Sequence, residues 1–577
     1  MVSSNESPDS ANIFDATTSN HFENKADGYG SDDESKAESE VHFEQILDVL
    51  GHFGPFQIRV FSILTLMDLS TGQAMMLFVF STISPLWSCA QFLDNSTLPN
   101  NTVKMCASEN GSRCVRFQYD TTASMVSTVS EYDLVCDYDY QPQLSVSIQM
   151  IGVLFGAMLT GYIADWLGRK KTLLTMCTLM MATQIIVGFS ISWPMYVVIR
   201  TFTGFFLGGT LNICFTLPME FIGPKWRTFC GSFGLYGFGM ATMSLMAYLT
   251  RDWRHVTYIC GAMFTPIIPA VIFYVPESVR WLTMKGRFEE AEEIIRWMAR
   301  VNKTGVPDMR LLRAIAAQDL NEQTEGKRHS YLDLFRTKEL AIQTFVIMYC
   351  WYSCSSVAYG VSSMYSTFKG TVFLNSVISS AVSTPFAWSV IYVGNRFGRR
   401  RSFFAYMSLP CTCLLTVVII GILGKKEELG VLVTVAALVG KGGAISCWIL
   451  AAIYSAELYP TVMRSLGCAA ASMAARIGGI IAPQLAYVGE VSHWVVPYVM
   501  YTFLAITTAI FVLIWLPETN KKPLKDAVLY HRANKNIEHG TKDDNDSGVS
   551  IVSTGDEKTN DEVDIGGTAF GSRPEIM

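Results

Sequence analysis

Three ionisable side chains sit deep inside long apolar runs: Asp68 in LTLMDLSTGQAMM, Lys441 in VGKGGAISCW and Arg476 in SMAARIGGIIAP. A charge held at the depth of a lipid bilayer costs roughly 3 kcal/mol on insertion scales, so each needs water, a partner or a charged solute. Arg476 is flanked by Ala and Gly, which leave room for a bulky group beside the guanidinium. Asp68 has the alternative of a partner inside the bundle, and Lys441 of reaching toward an interface or pairing with Asp68. If all three point inward they leave one surplus positive charge, which favours a carboxylate-bearing solute. Trp351, Tyr352 and Tyr359 lie close together in MYCWYSCSSVAYG. At i and i+7, Tyr352 and Tyr359 share a helix face. Such rings cage a quaternary ammonium or stack on an aromatic solute, or else pack and anchor at an interface. This is binding chemistry. The sequence shows no Walker loop, nucleophile elbow or paired-cysteine zinc spacing, so neither an enzyme nor a cofactor is expected. Nothing resembles a carbonyl filter or charge ring, which argues against a channel. No nucleic-acid partner is expected either.

The elements that must position these groups follow from composition. The 577 residues are 50% apolar and only 16% charged, with mean hydropathy +0.28, which places the chain in a lipid bilayer. A spanning helix needs about 20 mostly apolar residues. Twelve runs meet that need, at 58–80, 143–164, 172–192, 195–217, 229–250, 256–275, 340–361, 371–394, 403–423, 430–454, 465–488 and 494–516. No cleavable leader pattern opens the chain, so the first run is expected to be retained. Residues 1–45 and 520–577 are polar and poor in large apolar residues, and read as disordered tails.

The runs come in two sets. GYIADWLGRKK (Gly161 to Lys171) returns as GNRFGRRR (Gly394 to Arg401). Arg169 and Arg399 are 230 residues apart, Glu220 and Glu457 237, and Glu277 and Glu518 241. Near-constant offsets indicate a parallel duplication, with half one at 46–282 and half two at 339–519, and binding expected between them. Asp165, Arg169, Glu220, Arg227, Glu277 and Arg280 stand at helix ends in the first half, and Arg399, Glu457, Arg464 and Glu518 in the second. Pairs formed across the halves in one conformation and broken in the other would gate a rocking bundle; the plainer alternative is that these charges only fix topology.

Between 84 and 142 a polar loop carries Cys89, Cys106, Cys114 and Cys136 with glycosylation acceptors at Asn95, Asn100 and Asn110. The combination predicts an oxidising compartment and two disulfides, for which three connectivities are possible. Basic residues cluster on the other side, as in Arg169, Lys170 and Lys171, so both termini are expected in the cytosol, and the sequon at Asn302 unmodified. Within the cytosolic loop 283–338, Phe288, Ala291, Ile294, Ile295 and Met298 recur at helical spacing with Glu292 four before Arg296, predicting an amphipathic helix.

These motifs resemble a family: the organic ion transporters of the major facilitator superfamily, which carry organic cations, organic anions and carnitine. The resemblance runs from about Phe43 to Leu524. It rests on CVRFQYDTT and TVSEYDLVC (Cys114 to Cys136), GYIADWLGRKK, EFIGPKWRT, PESVRWL, AELYPTVMRS and GGIIAP. It implies an all-α protein of twelve membrane helices in two six-helix halves, a central cavity and alternating access at the plasma membrane. In this family the cation carriers typically have an aspartate where this chain has Arg476, whereas anion and carnitine carriers resemble it in having Arg there and Lys at Lys441. Ser383 stands where cation and carnitine members usually place a glutamate. Asn395 replaces the acid usual in the second charged turn, as in many anion carriers, and Trp166 the usual Arg of the first. Asp68 is unusual, and an acid opposite Arg476 suits a zwitterion. The expected function is transport of small organic ions, anions or carnitine-like zwitterions first and cations second. The expected partners are that solute, the lipid bilayer and a coupling ion or exchange solute. A receptor or scaffold acting through its tails is the alternative from another class.

Overall fold

The structure, a computed structural model, describes residues 43–92, 106–107, 113–120, 125–325, 331–459 and 461–519. Asn95, Asn100, Asn110, the N-terminal tail before Phe43 and the tail from 520 lie outside the described residues. All twelve expected runs are helical. They are α1 (Pro55–Met76), α2 (Gln141–Leu167), α3 (Arg169–Val187), α4 (Trp193–Met219), α5 in two pieces (Pro224–Ser232 and Tyr236–Thr250), α6 in two pieces (Trp253–Met263 and Ile267–Tyr274), α7 (Lys338–Ser363), α8 (Val372–Phe397), α9 (Arg399–Ile422), α10 (Gly430–Leu458), α11 (Thr461–Val491) and α12 (Val496–Trp515). Ten spans among the described residues are long and apolar enough to cross a membrane. The other two are α3, which opens on three basic residues, and α5, which is interrupted at Phe233–Leu235.

Proline near the first turn starts α1, α2, α4 and α12, where a missing N–H costs nothing. Gly168 (φ +106°) and Gly398 (φ +90°) make the tight reversals from α2 to α3 and from α8 to α9, a backbone conformation that side chains resist. Within the first half α2 and α4 meet backbone to backbone. A Cβ on Gly156 would lie 1.9 Å from the Phe205 carbonyl oxygen, and one on Gly208 2.2 Å from that of Val153. Small residues permit this approach where lipid supplies no hydrophobic drive between helices.

One end of the bundle carries a disulfide-bonded cap. Strands β1 (Leu86–Phe92) and β2 (Cys114–Asp120) pair antiparallel, and the bridges are Cys89–Cys114 and Cys106–Cys136, which selects one of the three open connectivities. Glu131 ties the cap to α6 by accepting from Trp253 Nε1 (2.7 Å) and Arg254 Nε (2.9 Å). Tyr132 donates to the Ser190 carbonyl at 3.0 Å.

The opposite, basic end carries short helices. Phe43–Leu50 is helical, so ordered structure begins inside the stretch read as tail. The expected amphipathic helix is present at Phe288–Asn302 and buries Ala291, Ile295 and Met298; Glu292 pairs with Arg296 at 2.5 Å. Two further helices, Val279–Met284 and Arg310–Glu325, were not expected. Asn302 pins this layer to α1: its amide accepts from Phe56 N–H and donates to the Leu50 carbonyl and Gln57 Oε1, each at 2.9 Å.

Candidate binding site between the halves

Where the halves face each other at mid-depth, α5 supplies Tyr236, α7 Tyr359 and α11 Arg476. The three are electrostatic neighbours, although the Tyr236 hydroxyl lies beside that of Tyr359 without a hydrogen bond of ordinary geometry. Arg476 is half-buried among the flanking Ala and Gly. Its backbone is fixed by close packing, since a Cβ on Gly478 would lie 2.5 Å from the Tyr352 carbonyl oxygen. Tyr359 stands edge-on to Trp448 (5.8 Å between centroids), and Trp351 does the same at 6.4 Å while donating to Ser455 at 3.0 Å. Trp448 thus joins the two rings expected from sequence, and neither it nor Tyr236 was picked out there.

On the first-half side Asp68 adjoins the break in α5. A Cβ on Gly234 would lie 3.1 Å from Asp68 Oδ2. The Asp68 carboxylate accepts from the Thr71 hydroxyl at 3.4 Å, and no ion pair to it appears among the described residues. Asp68 and Arg476, drawn from different halves, are both electrostatic neighbours of Tyr236. The polar atoms nearby are underused. Tyr236 Oη, Arg476 Nε, Ser383 Oγ and Trp388 Nε1 are buried without a hydrogen-bond partner among the described residues. Buried polar groups are nearly always satisfied, so this plane is where water or a solute belongs.

Other expected members lie elsewhere. Tyr352 stacks on Tyr349 (6.3 Å), which packs against Phe511 of α12, so the expected three-ring cage is split. Lys441 is 1% exposed. It donates to Ser379 Oγ at 3.0 Å and to the Tyr365 hydroxyl, and lies over the Tyr365 ring, so its partners are hydroxyls and not Asp68. A fourth span charge escaped the sequence reading. Arg200 of α4, 1% exposed, donates to Gln149 (2.6 Å) and Gln184 (3.3 Å). One charged residue in the apolar run 195–217 was the available signal.

In this conformation the ion pairs of Arg169 and of Arg399 at the basic end each lie within one half. Arg169 meets Asp165 at 2.8 Å and Glu220 at 3.5 Å. Arg399 meets Glu457 at 2.7 Å and Asn395 at 2.9 Å, so Asn395 keeps the contact without the charge. Glu277 accepts from the Lys170 amide (2.9 Å), and Glu518 from the Arg399 amide (2.7 Å), each carboxylate capping a helix start as the dipole favours. Burial pushes the Glu220 carboxyl up, with Ser278, Arg169 and Arg280 pulling it back. Arg227 Nε donates to the Ile222 carbonyl at 3.2 Å, and Arg464 lies near Cys468. Contacts between the halves are polar at the cap end: Ser147 donates to the Ile480 carbonyl (2.7 Å), Ser244 to Ser376 (2.7 Å) and Tyr487 to Asp139 (2.8 Å). Nearer the basic end, Phe233 stacks on Trp388 at 5.1 Å.

The sequence profile of sugar (and other) transporters matches residues 65–528. Organic cation/carnitine transporter 2 of Homo sapiens is 28% identical over 532 residues, covering 84% of this chain and 93% of its own. That of Rattus norvegicus is 31% identical over 425 residues, 71% of this chain and 73% of its own. Solute carrier family 22 member 7 of Rattus norvegicus is 29% identical over 84% of this chain and 97% of its own. Among solved structures, the proton:xylose symporter XylE bound to a bromo-deoxyglucose superposes with TM-score 0.59 at 15% identity, over 81% of this chain and 98% of that one. Its inward open form from E. coli gives TM-score 0.58 at 16% identity. At such identity the likeness establishes the major facilitator fold alone.

Proposed function

The chain belongs to the sugar (and other) transporter family, and from that premise we propose that it moves small organic ions bearing a carboxylate, whether anions or carnitine-like zwitterions. Arg476 holds the carboxylate. Tyr236, Tyr359, Trp448 and Trp351 line the organic part, and Asp68 supplies the opposing charge. The observation that carries this reading is the half-buried Arg476, whose Nε has no hydrogen-bond partner among the described residues, beside two tyrosine rings where the halves meet. Lys441 joins the site only in a conformation that releases it from Tyr365 and Ser379. A second reading, an organic cation, draws on Asp68 as a half-buried carboxylate without an ion-pair partner among the described residues, and on relatives named for cation transport.

Alternating access follows from the two rigid halves. The charge networks of Arg169 and Arg399 each clamp one half, and the halves rock about the plane between them. Ser147, Ser244 and Tyr487 join the halves at the cap end in this conformation. We place the cap outside the cell, both termini in the cytosol and the protein in the plasma membrane, with sugars at Asn95, Asn100 and Asn110. Uptake of labelled carnitine, tetraethylammonium and hippurate by one expressing cell line tests the reading. Carnitine or hippurate is expected to enter. Entry of tetraethylammonium alone supports the cation reading, and entry of none, at verified surface expression, refutes transport of this class.

A further inference from the structure

The lipid-facing flank of the first half carries an open groove where α3 meets the second piece of α6. Both helices pack on neighbours of their own half, and α6 stops at Met263 and resumes at Ile267, around Pro266. The groove encloses about 370 Å³ and is lined by Leu174, Thr175, Thr178, Leu179, Ile268 and Ile272. The four aliphatic side chains among these give it walls for a hydrocarbon chain, at the volume of ordinary small-molecule sites. Lys171 is exposed and lies three, four and seven residues before Leu174, Thr175 and Thr178, so it shares their helix face, nearer the basic end. Lys170 stands at the mouth. Its Nζ donates to the Ile272 carbonyl at 2.7 Å, an acceptor left over because the residue four further on is Pro276, which has no N–H. Trp166, four residues before Lys170, and Tyr274 are both exposed, as aromatic side chains are at the level of lipid headgroups. The nearby acids are engaged: Glu277 accepts from the Lys170 amide and Asp165 pairs with Arg169. No carboxylate pairs with Lys171 among the described residues.

We propose that this groove is a binding site for one anionic glycerophospholipid of the bilayer, phosphatidylserine in kind. An acyl chain lies along Leu174, Leu179, Ile268 and Ile272, and the headgroup meets Lys171 and the two protons that Lys170 does not spend on Ile272, since an ammonium has three donors. Arg59 of α1, over the Tyr274 ring at 5.9 Å, adds positive charge close to that end. Basic pockets between spans on the cytosolic side are where anionic headgroups bind, and that leaflet is the one rich in them; the placement of the basic end in the cytosol supplies this match. A bound lipid joins α3 to the eight-residue piece Ile267–Tyr274, which the break separates from the rest of α6. The site stands whichever solute the protein carries.

The test uses the purified full chain in detergent, with dioleoyl phosphatidylserine and dioleoyl phosphatidylcholine as probes. Native mass spectrometry is expected to show a tightly held phosphatidylserine, preferred over phosphatidylcholine by about fivefold for each basic residue engaged. The double variant Lys170→Gln, Lys171→Gln is expected to hold the two lipids alike, and Lys171→Arg to keep the preference. Thr178→Trp fills the groove and is expected to lose the tight lipid whatever its headgroup. Phosphatidylserine with a photoactivatable acyl chain is expected to mark residues 172–179 and 267–274 of the wild type, a readout that requires no variant to fold. Equal occupancy by the two lipids in wild type overturns the proposal and leaves a neutral annular lipid only. So does a preference that survives in the double variant, a tight lipid retained by folded Thr178→Trp, or crosslinks confined to other helices. None of these readouts involves cargo, so their failure is separate from failure of the transport reading.

Discussion

Replacing Arg476 by Gln keeps much of the side-chain volume and removes the charge. A hydrogen bond to a charged group contributes about 1.5–3 kcal/mol. Because Arg476 is half-buried, water screens part of that, and about 2 kcal/mol is the expected loss. At about 1.4 kcal/mol per decade this is roughly a 30-fold rise in the half-saturating concentration of a carboxylate. Arg476→Lys keeps the charge but loses the planar fork, so it is expected to fall between wild type and Arg476→Gln. The assay is initial-rate uptake of hippurate over a concentration series, corrected for surface protein, with tetraethylammonium as a cargo lacking a carboxylate. The loss is expected for hippurate and not for tetraethylammonium. An unchanged hippurate curve in Arg476→Gln at normal surface abundance would remove Arg476 from the site, and with it the selectivity argument.

Gly156→Val is expected to abolish surface expression, because the Phe205 carbonyl lies 1.9 Å from the added Cβ, whereas Gly161→Val, with nothing within 4 Å, is expected to express normally; surface biotinylation distinguishes them. Glu457→Gln strips the charge partner from Arg399, whose side chain is 9% exposed, and is expected to cost about 2 kcal/mol and lower the melting temperature of detergent-purified protein by about 5 °C. Asn302→Ala removes three hydrogen bonds, a loss of about 3 kcal/mol at about 1 each, and is expected to expose the segment around Gly51–Gly54 to limited proteolysis. It is expected to leave the glycosidase-sensitive gel shift unchanged, since the positive-inside pattern puts this sequon on the cytosolic side, away from the glycosylation machinery.

The sequence by itself determined the twelve spans, the duplication, the cysteine-rich cap and the basic end. Each is a property of run length, repeat offset or charge count along one dimension. The amphipathic helix Phe288–Asn302 was legible for the same reason, because one of its faces meets water and its period shows. Inside the bilayer that signal fades, because helices such as α7 and α10 are apolar on nearly every side, and composition does not say which side faces a neighbour. Tyr352 and Tyr359 share a helical face, yet one packs toward Tyr349 and Phe511 and the other toward Trp448. Lys441 and Arg476 look alike as lone cations in apolar runs, but helix rotation seats Lys441 among hydroxyls and leaves Arg476 at the plane between the halves. Only tertiary structure decided that Arg399 pairs with Glu457 of its own half, that the disulfides join Cys89 to Cys114 and Cys106 to Cys136, and that Tyr236 neighbours both Asp68 and Arg476. The physical reason is that a pairwise contact depends on how each helix is turned about its axis and set against its neighbours, and close packing of the whole bundle fixes that turn.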